Sequence, residues 1–284
     1  MNNRGLSTIK IPKWAFVVAA IVIILLAAVL AAFADPIQQA VLTVEYGDVQ
    51  VDQGNGFGKV QGKLSLQENA KIKTGEGSAV LILFESMVLV IDPQTEVSLD
   101  ELVQEYPRVK QDNGVTWNKF TALSGMQSFS TETPTAVAVA RATGYEVHLD
   151  SILVVDGAVE VTADKAYMVH GLTALVQEGP MWTMRNLTGE ERARLVERLK
   201  KTAKILQELR MDIIEEHSLL YASAKKMAGF TDEQRDAYFA QVDYGERDIN
   251  ADYQKSPVKH AVAQRVVALS KEIKKINALV NELA

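Results

Sequence analysis

One short pattern occurs twice in the sequence and constrains the fold more than any other feature. Residues 43–51 and 153–161 each combine a strand-like segment, a central glycine and a second segment with valines at alternate positions. The central glycines are Gly47 and Gly157. Apolar residues at a period of two share one face of a strand, and glycine permits the backbone angles of a tight turn. The repeat therefore predicts a β-domain assembled from related halves.

Similar strand-like segments extend this predicted β-domain over residues 41–182. Short apolar runs are separated by turn signals such as Glu85-Ser86 and Asn113-Gly114. Asn-Gly favours the type I′ turn of a β-hairpin because both residues tolerate positive φ angles. Turn signals at intervals of about 8–12 residues are typical of a sandwich, a barrel or a short solenoid.

An apolar segment near the N-terminus predicts where the protein lies. Residues 15–33 have no charged side chain and consist almost entirely of Ala, Val, Ile, Leu and Phe. A helix of about 20 apolar residues crosses a hydrocarbon core of about 30 Å. Basic residues precede the segment and none follows it before Lys59, so the positive-inside rule places the N-terminus in the cytoplasm. The sequence thus predicts a single-pass protein of the cell membrane, with residues 1–13 cytoplasmic, an anchor at residues 14–34 and the bulk of the chain extracytoplasmic.

A cleaved signal peptide is the alternative interpretation of the same segment. Ala32-Phe33-Ala34 before Asp35 is an A-x-A pattern of the kind that signal peptidase accepts. The apolar stretch is longer than the roughly 7–15 residues usual for a signal peptide, which favours an uncleaved anchor. Both interpretations export residues 35–284.

Several blocks of the β-region resemble the FecR-type extracytoplasmic domain. These blocks are Gly47–Val51, Ile72–Gly75, Val80–Phe84, Met87–Ile91, Thr133–Val147, Val155–Val161 and Gly171–Gly179. Their order and spacing carry the resemblance, which covers residues 44–176. Two turns depart from the family pattern: Ala142 stands where the family usually has glycine, and Glu85-Ser86 stands where it usually has Asp-Gly.

The resemblance implies only part of the family's function. Well-studied members relay a signal from an outer-membrane transporter to a cytoplasmic sigma factor, which they bind through a cytoplasmic domain. Residues 1–13, the predicted cytoplasmic part of this chain, are too few to bury a core or to form a standard interface. The resemblance therefore implies an external binding or scaffold module without the sigma-regulating domain.

The chain from residue 188 to residue 284 has the pattern of a helical module. Thr188 and Glu191 have the spacing of a capping box, and Thr231 begins a second such signal. Pro257 follows a serine, and this pair predicts the start of a last helix.

Apolar residues of that last helix follow alternating spacings of four and three, which is the pattern of a coiled-coil seam. They are Val262, Val266, Leu269, Ile273, Ile276, Val280 and Leu283, and we predict them to form a helical interface. Two partners fit the seam. The first helix of the module would give an intramolecular hairpin, and a helix of another chain would give a homo-oligomer or a complex.

Composition and spacing argue against several classes of function. The net charge is −6, and residues 15–186 hold most of the excess negative charge, which argues against nucleic acid as a partner. The chain has no cysteine, and its four histidines lack metal-ligand spacing. No catalytic constellation is recognisable, so we predict that the protein is not an enzyme and holds no cofactor or metal. Asn186 begins an Asn-x-Thr sequon and is a candidate for N-glycosylation.

Together these observations predict an α+β protein in three parts. A transmembrane helix precedes an all-β FecR-type domain of short-solenoid or sandwich type, and a C-terminal helical hairpin or coiled coil follows. The predicted function is that of a non-enzymatic, membrane-anchored cell-envelope protein that binds or scaffolds through its external domain. The predicted partner is a protein or a second copy held through the C-terminal helices, and an envelope polymer is a further candidate. The alternative function is a sensor or regulator subunit that relays an extracytoplasmic signal to another membrane protein.

Overall fold

The structure of the protein is a computed structural model that describes residues 39–121, 125–141, 143–219, 221–222, 226, 231–255 and 260–284. Its strands are β1 (Ala40–Tyr46), β2 (Val49–Asp52), β3 (Gly58–Lys59), β4 (Lys63–Ser65), β5 (Lys71–Thr74), β6 (Ser78–Leu83), β7 (Met87–Ile91), β8 (Glu96–Glu101), β9 (Arg108–Asn113), β10 (Thr116–Phe120), β11 (Phe129–Glu132), β12 (Val137–Ala140), β13 (Gly144–Val147), β14 (Ser151–Asp156), β15 (Ala158–Thr162), β16 (Ala166–His170), β17 (Thr173–Glu178) and β18 (Met181–Asn186). The helices with described bounds are α1 (Gly189–Glu216), α2 (Asp232–Asp243), α3 (Ile249–Lys255) and α4 (Ala261–Leu283).

The strands form two nine-stranded sheets, which we name sheet A and sheet B. Sheet A has the order β18-β17-β14-β13-β10-β7-β6-β1-β4, and sheet B has the order β16-β15-β12-β11-β9-β8-β5-β2-β3. Hairpins alternate between the sheets along the chain, so that β6 and β7 pair in sheet A and β8 and β9 pair in sheet B. Among the described strands, only β9 and β11 pair in parallel.

The structure is a mostly β, two-sheet domain with helices, and the predicted short solenoid is wrong. A β-solenoid stacks successive coils into parallel ladders. In this chain the described strands pair antiparallel except for β9 with β11, so each sheet grows mainly by hairpins that are contributed in turn. The period-two pattern that predicted the strands is common to both architectures.

The repeated glycine pattern marks places where the chain passes from one sheet to the other. Gly47 joins β1 of sheet A to β2 of sheet B with a φ angle of 76°, and Gly157 joins β14 to β15 in the same way with a φ angle of 70°. A Cβ atom at position 47 would lie 2.6 Å from the carbonyl oxygen of Glu76. The predicted Asn-Gly hairpin turn is a crossing as well, because Gly114 lies between β9 of sheet B and β10 of sheet A.

Sheet A is the middle layer of the domain. Every residue of β7, β10 and β13 is buried, which requires cover on both faces. One face packs on sheet B, where the hydroxyl groups of Tyr145 and Thr131 are 3.2 Å apart. The other face contributes Leu153 to an apolar cluster that includes Leu206 of α1 and Ile273 of α4. Sheet B alternates between buried and exposed residues in β5 and β16, so only one of its faces is covered.

Two helix starts follow the sequence signals. The Thr188 hydroxyl accepts a hydrogen bond from the Glu191 amide and the Glu191 carboxylate accepts one from the Thr188 amide, which confirms the capping box of α1. Thr231 caps α2 in the same way. Helix α4 has His260 as its N-cap, and the start predicted at Pro257 lies outside the described residues.

The predicted membrane span has no counterpart among the described residues. No helix in the described part of the chain is long and apolar enough to cross a bilayer. The prediction of a single-pass protein of the cell membrane is corrected on this finding, and residues 14–34, on which it was based, lie outside the described residues.

Candidate interaction surface

The predicted helical interface is covered within the chain, because it lies in an apolar cluster that α4 shares with α1 and sheet A. Leu269, Ile273 and Ile276 are each at most 1% exposed and Val280 is 8% exposed. The other predicted members, Val262, Val266 and Leu283, are partly buried against the same cluster. The prediction of a hairpin or coiled coil is therefore corrected, because α1 and α4 share their apolar faces with a sheet instead of forming a separate helical pair.

A hydrogen bond explains one polar residue on the buried face of α1. The indole N–H of Trp117, which is 0% exposed in β10, donates to the Thr202 hydroxyl at 2.8 Å. That hydroxyl in turn donates to the carbonyl of Arg198 at 2.8 Å. Thr202 interrupts the apolar pattern of α1 because a buried indole N–H needs an acceptor.

A buried lysine connects sheet A to α4. The ammonium group of Lys119 lies 3.0 Å from Asp156 of β14 and 3.5 Å from Glu272 of α4, and its side chain is 1% exposed. Asp156 also accepts a hydrogen bond from the Gly144 amide at 2.5 Å. A Cβ atom at position 144 would lie 2.9 Å from that carboxylate and 3.0 Å from Trp117, so glycine leaves room for this polar contact.

A buried glutamate connects sheet A to α1. The Glu146 carboxylate, which is 0% exposed, lies 3.0 Å from Arg194, 3.2 Å from Arg198 and 2.8 Å from His148. Burial alone would raise the pKa of Glu146, but the hydrogen bond from His148 and the charges of Arg194 and Arg198 lower it to about 2. Arg198 also forms an ion pair with Asp92.

A buried ion pair between Arg210 and Asp243 holds the helices to one another. Arg210 of α1 donates to the Asp243 carboxylate at 2.6 and 2.9 Å and to the Ser270 hydroxyl of α4 at 3.0 Å. Arg210 is 3% exposed and Asp243 is 2% exposed. These charged groups thus have partners within the fold, and in the described part of the chain no cluster of His, Asp and Glu could hold a metal ion.

The two ends of the sandwich differ in what they present to a partner. At one end the sheets terminate in β3 and β4, which have two and three residues and include Lys59 and Lys63. At the other end they terminate in β16 and β18, which have five and six residues. Three exposed methionines lie on these longer strands, with exposed fractions of 49% for Met168, 62% for Met181 and 54% for Met184. The edge strands at the long end are therefore longer than those at the other end and contain no lysine, two features that leave a sheet edge less protected.

Backbone hydrogen bonds identify which groups of β18 point outward. The amide of Leu187 donates to the carbonyl of Leu172 at 3.1 Å and continues the ladder between β17 and β18. Bonded pairs alternate along an antiparallel ladder. Thr183 is therefore bonded to β17, and the backbone groups of Trp182 and Met184 point away from the sheet.

Two sets of residues in the buried contacts and at the edge strand were not predicted from the sequence. Lysine and glutamate in a strand are normally read as solvent-facing, so nothing marked Lys119 and Glu146 as buried. The spaced methionines of β18 were a visible signal, but their exposure depends on which strand ends the sheet. Asn186 is exposed at the end of β18, and its glycosylation remains a prediction.

Comparisons with known proteins give a distant likeness. Two crystal structures of an anti-sigma factor candidate from Parabacteroides distasonis ATCC 8503 match with 12% sequence identity and a TM-score of 0.37 each. One match covers 42% of this chain and 61% of that protein, which is less than two thirds of its length, and the other covers 51% and 72%. No protein-family model and no curated protein matches the sequence. What is shown is a low-identity likeness to a regulatory protein, and a TM-score of this size carries no argument about function.

Proposed function

We propose that the protein is a non-enzymatic regulatory or scaffold module that binds an extended segment of a polypeptide along β18. The observation that carries this proposal is the six-residue edge strand, with outward backbone groups at Trp182 and Met184 and exposed side chains at Met181 and Met184. An extended segment can add to such an edge by β-augmentation. Its backbone would supply affinity, and its side chains would contact the methionines.

The side chains and the support of β18 fit this role. Methionine is flexible and polarisable, so it adapts to partners of different shape. On its inner side, the strand pairs with β17 along its whole length, with six residue pairs from Thr173–Asn186 to Glu178–Met181. Arg185 is fixed by a bidentate ion pair with Glu191 at 2.7 and 2.8 Å, which anchors the strand to the start of α1. A strand fixed in this way loses little conformational entropy on binding.

The non-enzymatic part of the proposal is supported by the buried charges. Lys119 and Glu146 are the groups whose burial would be expected of catalytic acids and bases, but both are engaged by oppositely charged partners. The partners of Lys119 lie on β14 and α4, and the two arginines beside Glu146 lie on α1. The FecR-type resemblance supports a regulatory or scaffold setting for such a module.

The proposal is tested by photo-crosslinking from the edge strand. A photoreactive benzoylphenylalanine at the position of Met184 in the full chain should give a discrete crosslinked product in cells, identified by mass spectrometry. The same group at Tyr244, which is 73% exposed and lies after α2, is the matched control. Met184→Pro in a chain carrying the group at Met181 should abolish the product, because proline removes an outward N–H without breaking the ladder to β17. Equal products from Met184 and Tyr244, or a product that survives Met184→Pro, would contradict the proposal.

A further inference from the structure

We infer that the extended segment is β18 of a second copy of this chain, so that two molecules join their A sheets about a two-fold axis. The inference rests on the proposed function, since it names the partner of the same edge. A sheet edge that pairs with itself must satisfy three conditions at once. Its outward backbone groups must meet, its side chains must fit, and like charges must stay apart.

The backbone restricts the pairing to few registers. Only residues with outward groups can exchange hydrogen bonds, and in β18 these include Trp182 and Met184. Pro180, just before the strand, has no N–H to donate. A two-fold axis through Thr183 places Trp182 opposite Met184 of the second copy, and Met184 opposite Trp182 of the second copy. Each N–H and C=O group of these residues then has a partner across the axis.

A hydrogen bond already present at this edge is compatible with the register. The Tyr167 hydroxyl of β16 donates to the Trp182 carbonyl at 2.8 Å. A carbonyl oxygen has two lone pairs, so the same atom can also accept the Met184 amide of the second copy. The Tyr167 bond holds the Trp182 carbonyl in place beside the edge.

The side chains are complementary in the same register. Thr183 meets Thr183 of the second copy at the axis, and threonine pairs are favourable cross-strand neighbours. Met184, which is 54% exposed, lies opposite Trp182, which is 6% exposed, so that the exposed methionine of each copy can cover the remaining apolar surface of the tryptophan. Met181 lies opposite Arg185, whose aliphatic stem can cover it.

The charges permit this pairing. Arg185 is the only charged residue of β18, and in this register it faces Met181 and not its own copy. Its guanidinium group is already engaged by Glu191. The opposite end of the sandwich offers no comparable surface, because β3 and β4 are short and include Lys59 and Lys63.

Charged substitutions of Thr183, which lies on the two-fold axis, test the register directly. Sedimentation equilibrium of the full chain over a concentration series should show a monomer–dimer equilibrium. Thr183→Lys and Thr183→Glu each place like charges opposite one another, and each alone should weaken the dimer by about tenfold or more. An equimolar mixture of the two variants should restore it, since lysine then faces glutamate. Thr162→Lys and Thr162→Glu, on an exposed threonine of β15, are the matched controls and should leave the dimer unchanged.

Loss in the single variants and recovery in the mixture supports the inference. If Thr183→Glu strengthens the dimer, this register is wrong. The strands are then shifted by one hydrogen-bonded step, which places residue 183 opposite Arg185 of the second copy and gives the glutamate an oppositely charged neighbour. A dimer that ignores both variants, or a monomer at all concentrations, would overturn pairing through β18. If the monomer still gives a crosslink from Met184 to a different protein, the second copy is excluded while the proposed function stands. If neither dimer nor crosslink forms, both fail.

Discussion

Sheet A and sheet B contain the same number of strands, but similar charged contacts have different consequences in each. On sheet B, Lys73 lies 3.3 Å from Glu96, and the lysine side chain is 55% exposed. On sheet A, Lys119 lies 3.0 Å from Asp156, and the lysine side chain is 1% exposed. Water solvates the first pair whether or not it forms, whereas the second pair has lost that solvation. The cover of a sheet, and not the contact distance, therefore decides what an ion pair contributes.

The helical layer makes this difference. Helices α1 and α4 bury the second face of sheet A with apolar side chains, and they also bring Arg194, Arg198 and Glu272 to the buried charges of the sheet. An apolar stripe alone would allow a helix several positions on an apolar sheet. We infer that the buried ion pairs select one position, because any displacement would leave a charge without water or a partner.

The largest effect should come from placing a charge in the apolar contact between α4 and sheet A. Ile273→Asp removes a side chain that is 0% exposed and buries an unpaired carboxylate. We expect the free energy of unfolding to fall by about 5 kcal/mol or more, measured by denaturant titration of the full chain. Ala278→Asp, at an exposed position of the same helix, is the control and should change little. Equal effects of the two substitutions would show that α4 does not cover sheet A.

A smaller effect should come from removing one member of a buried ion pair. Lys119→Met keeps the length of the side chain but leaves Asp156 and Glu272 without the ammonium group. We expect a loss of about 3–5 kcal/mol in the free energy of unfolding. Lys73→Met makes the same change on sheet B and should cost less than about 1 kcal/mol. Similar losses from both variants would contradict the comparison between the sheets.

The sequence predicted local structure well because local structure depends on neighbouring residues. Alternating apolar residues marked the strands, and Thr188 with Glu191 marked the start of α1. It did not predict which sheet each strand joins. Gly47 and Gly114 indicate that the chain turns, but a turn signal does not specify whether the next strand pairs with the previous one or crosses to the other sheet.

The candidate site was harder to predict because it depends on residues that are distant in the sequence. Ile273 and its neighbours were predicted as a helical interface, and in the structure they lie in the apolar cluster that α4 shares with α1 and sheet A. Their cover comes from strands such as β7 and β14, and no helical pattern specifies that partner. The exposure of Met184 similarly depends on β18 being the last strand of sheet A, which is a property of the topology.

The smallest effect that we predict concerns acid. The pKa of Glu146 is held at about 2, below its ordinary value of 4.5, because the hydrogen bond from His148 and the charges of Arg194 and Arg198 outweigh the cost of burial. The ionised carboxylate therefore stabilises the fold above about pH 4.5, and this contribution is lost as the pH falls toward about 2. The lost contribution is about 3 kcal/mol at most.

Glu146→Gln separates this contribution from other acid effects. The variant should be less stable than the wild-type chain at pH 7, and the difference should shrink as the pH falls from about 4.5 toward about 2, measured by urea titration at each pH. Glu96→Gln, on sheet B, is the matched control and should cost less than about 1 kcal/mol at pH 7, because Lys73 and Glu96 remain hydrated. A constant difference between Glu146→Gln and wild type across this range would mean that the carboxylate is not held in its ionised form by the arginines of α1. The polar connection of sheet A to the helices would then depend on Lys119 with Glu272 and on Arg198 with Asp92.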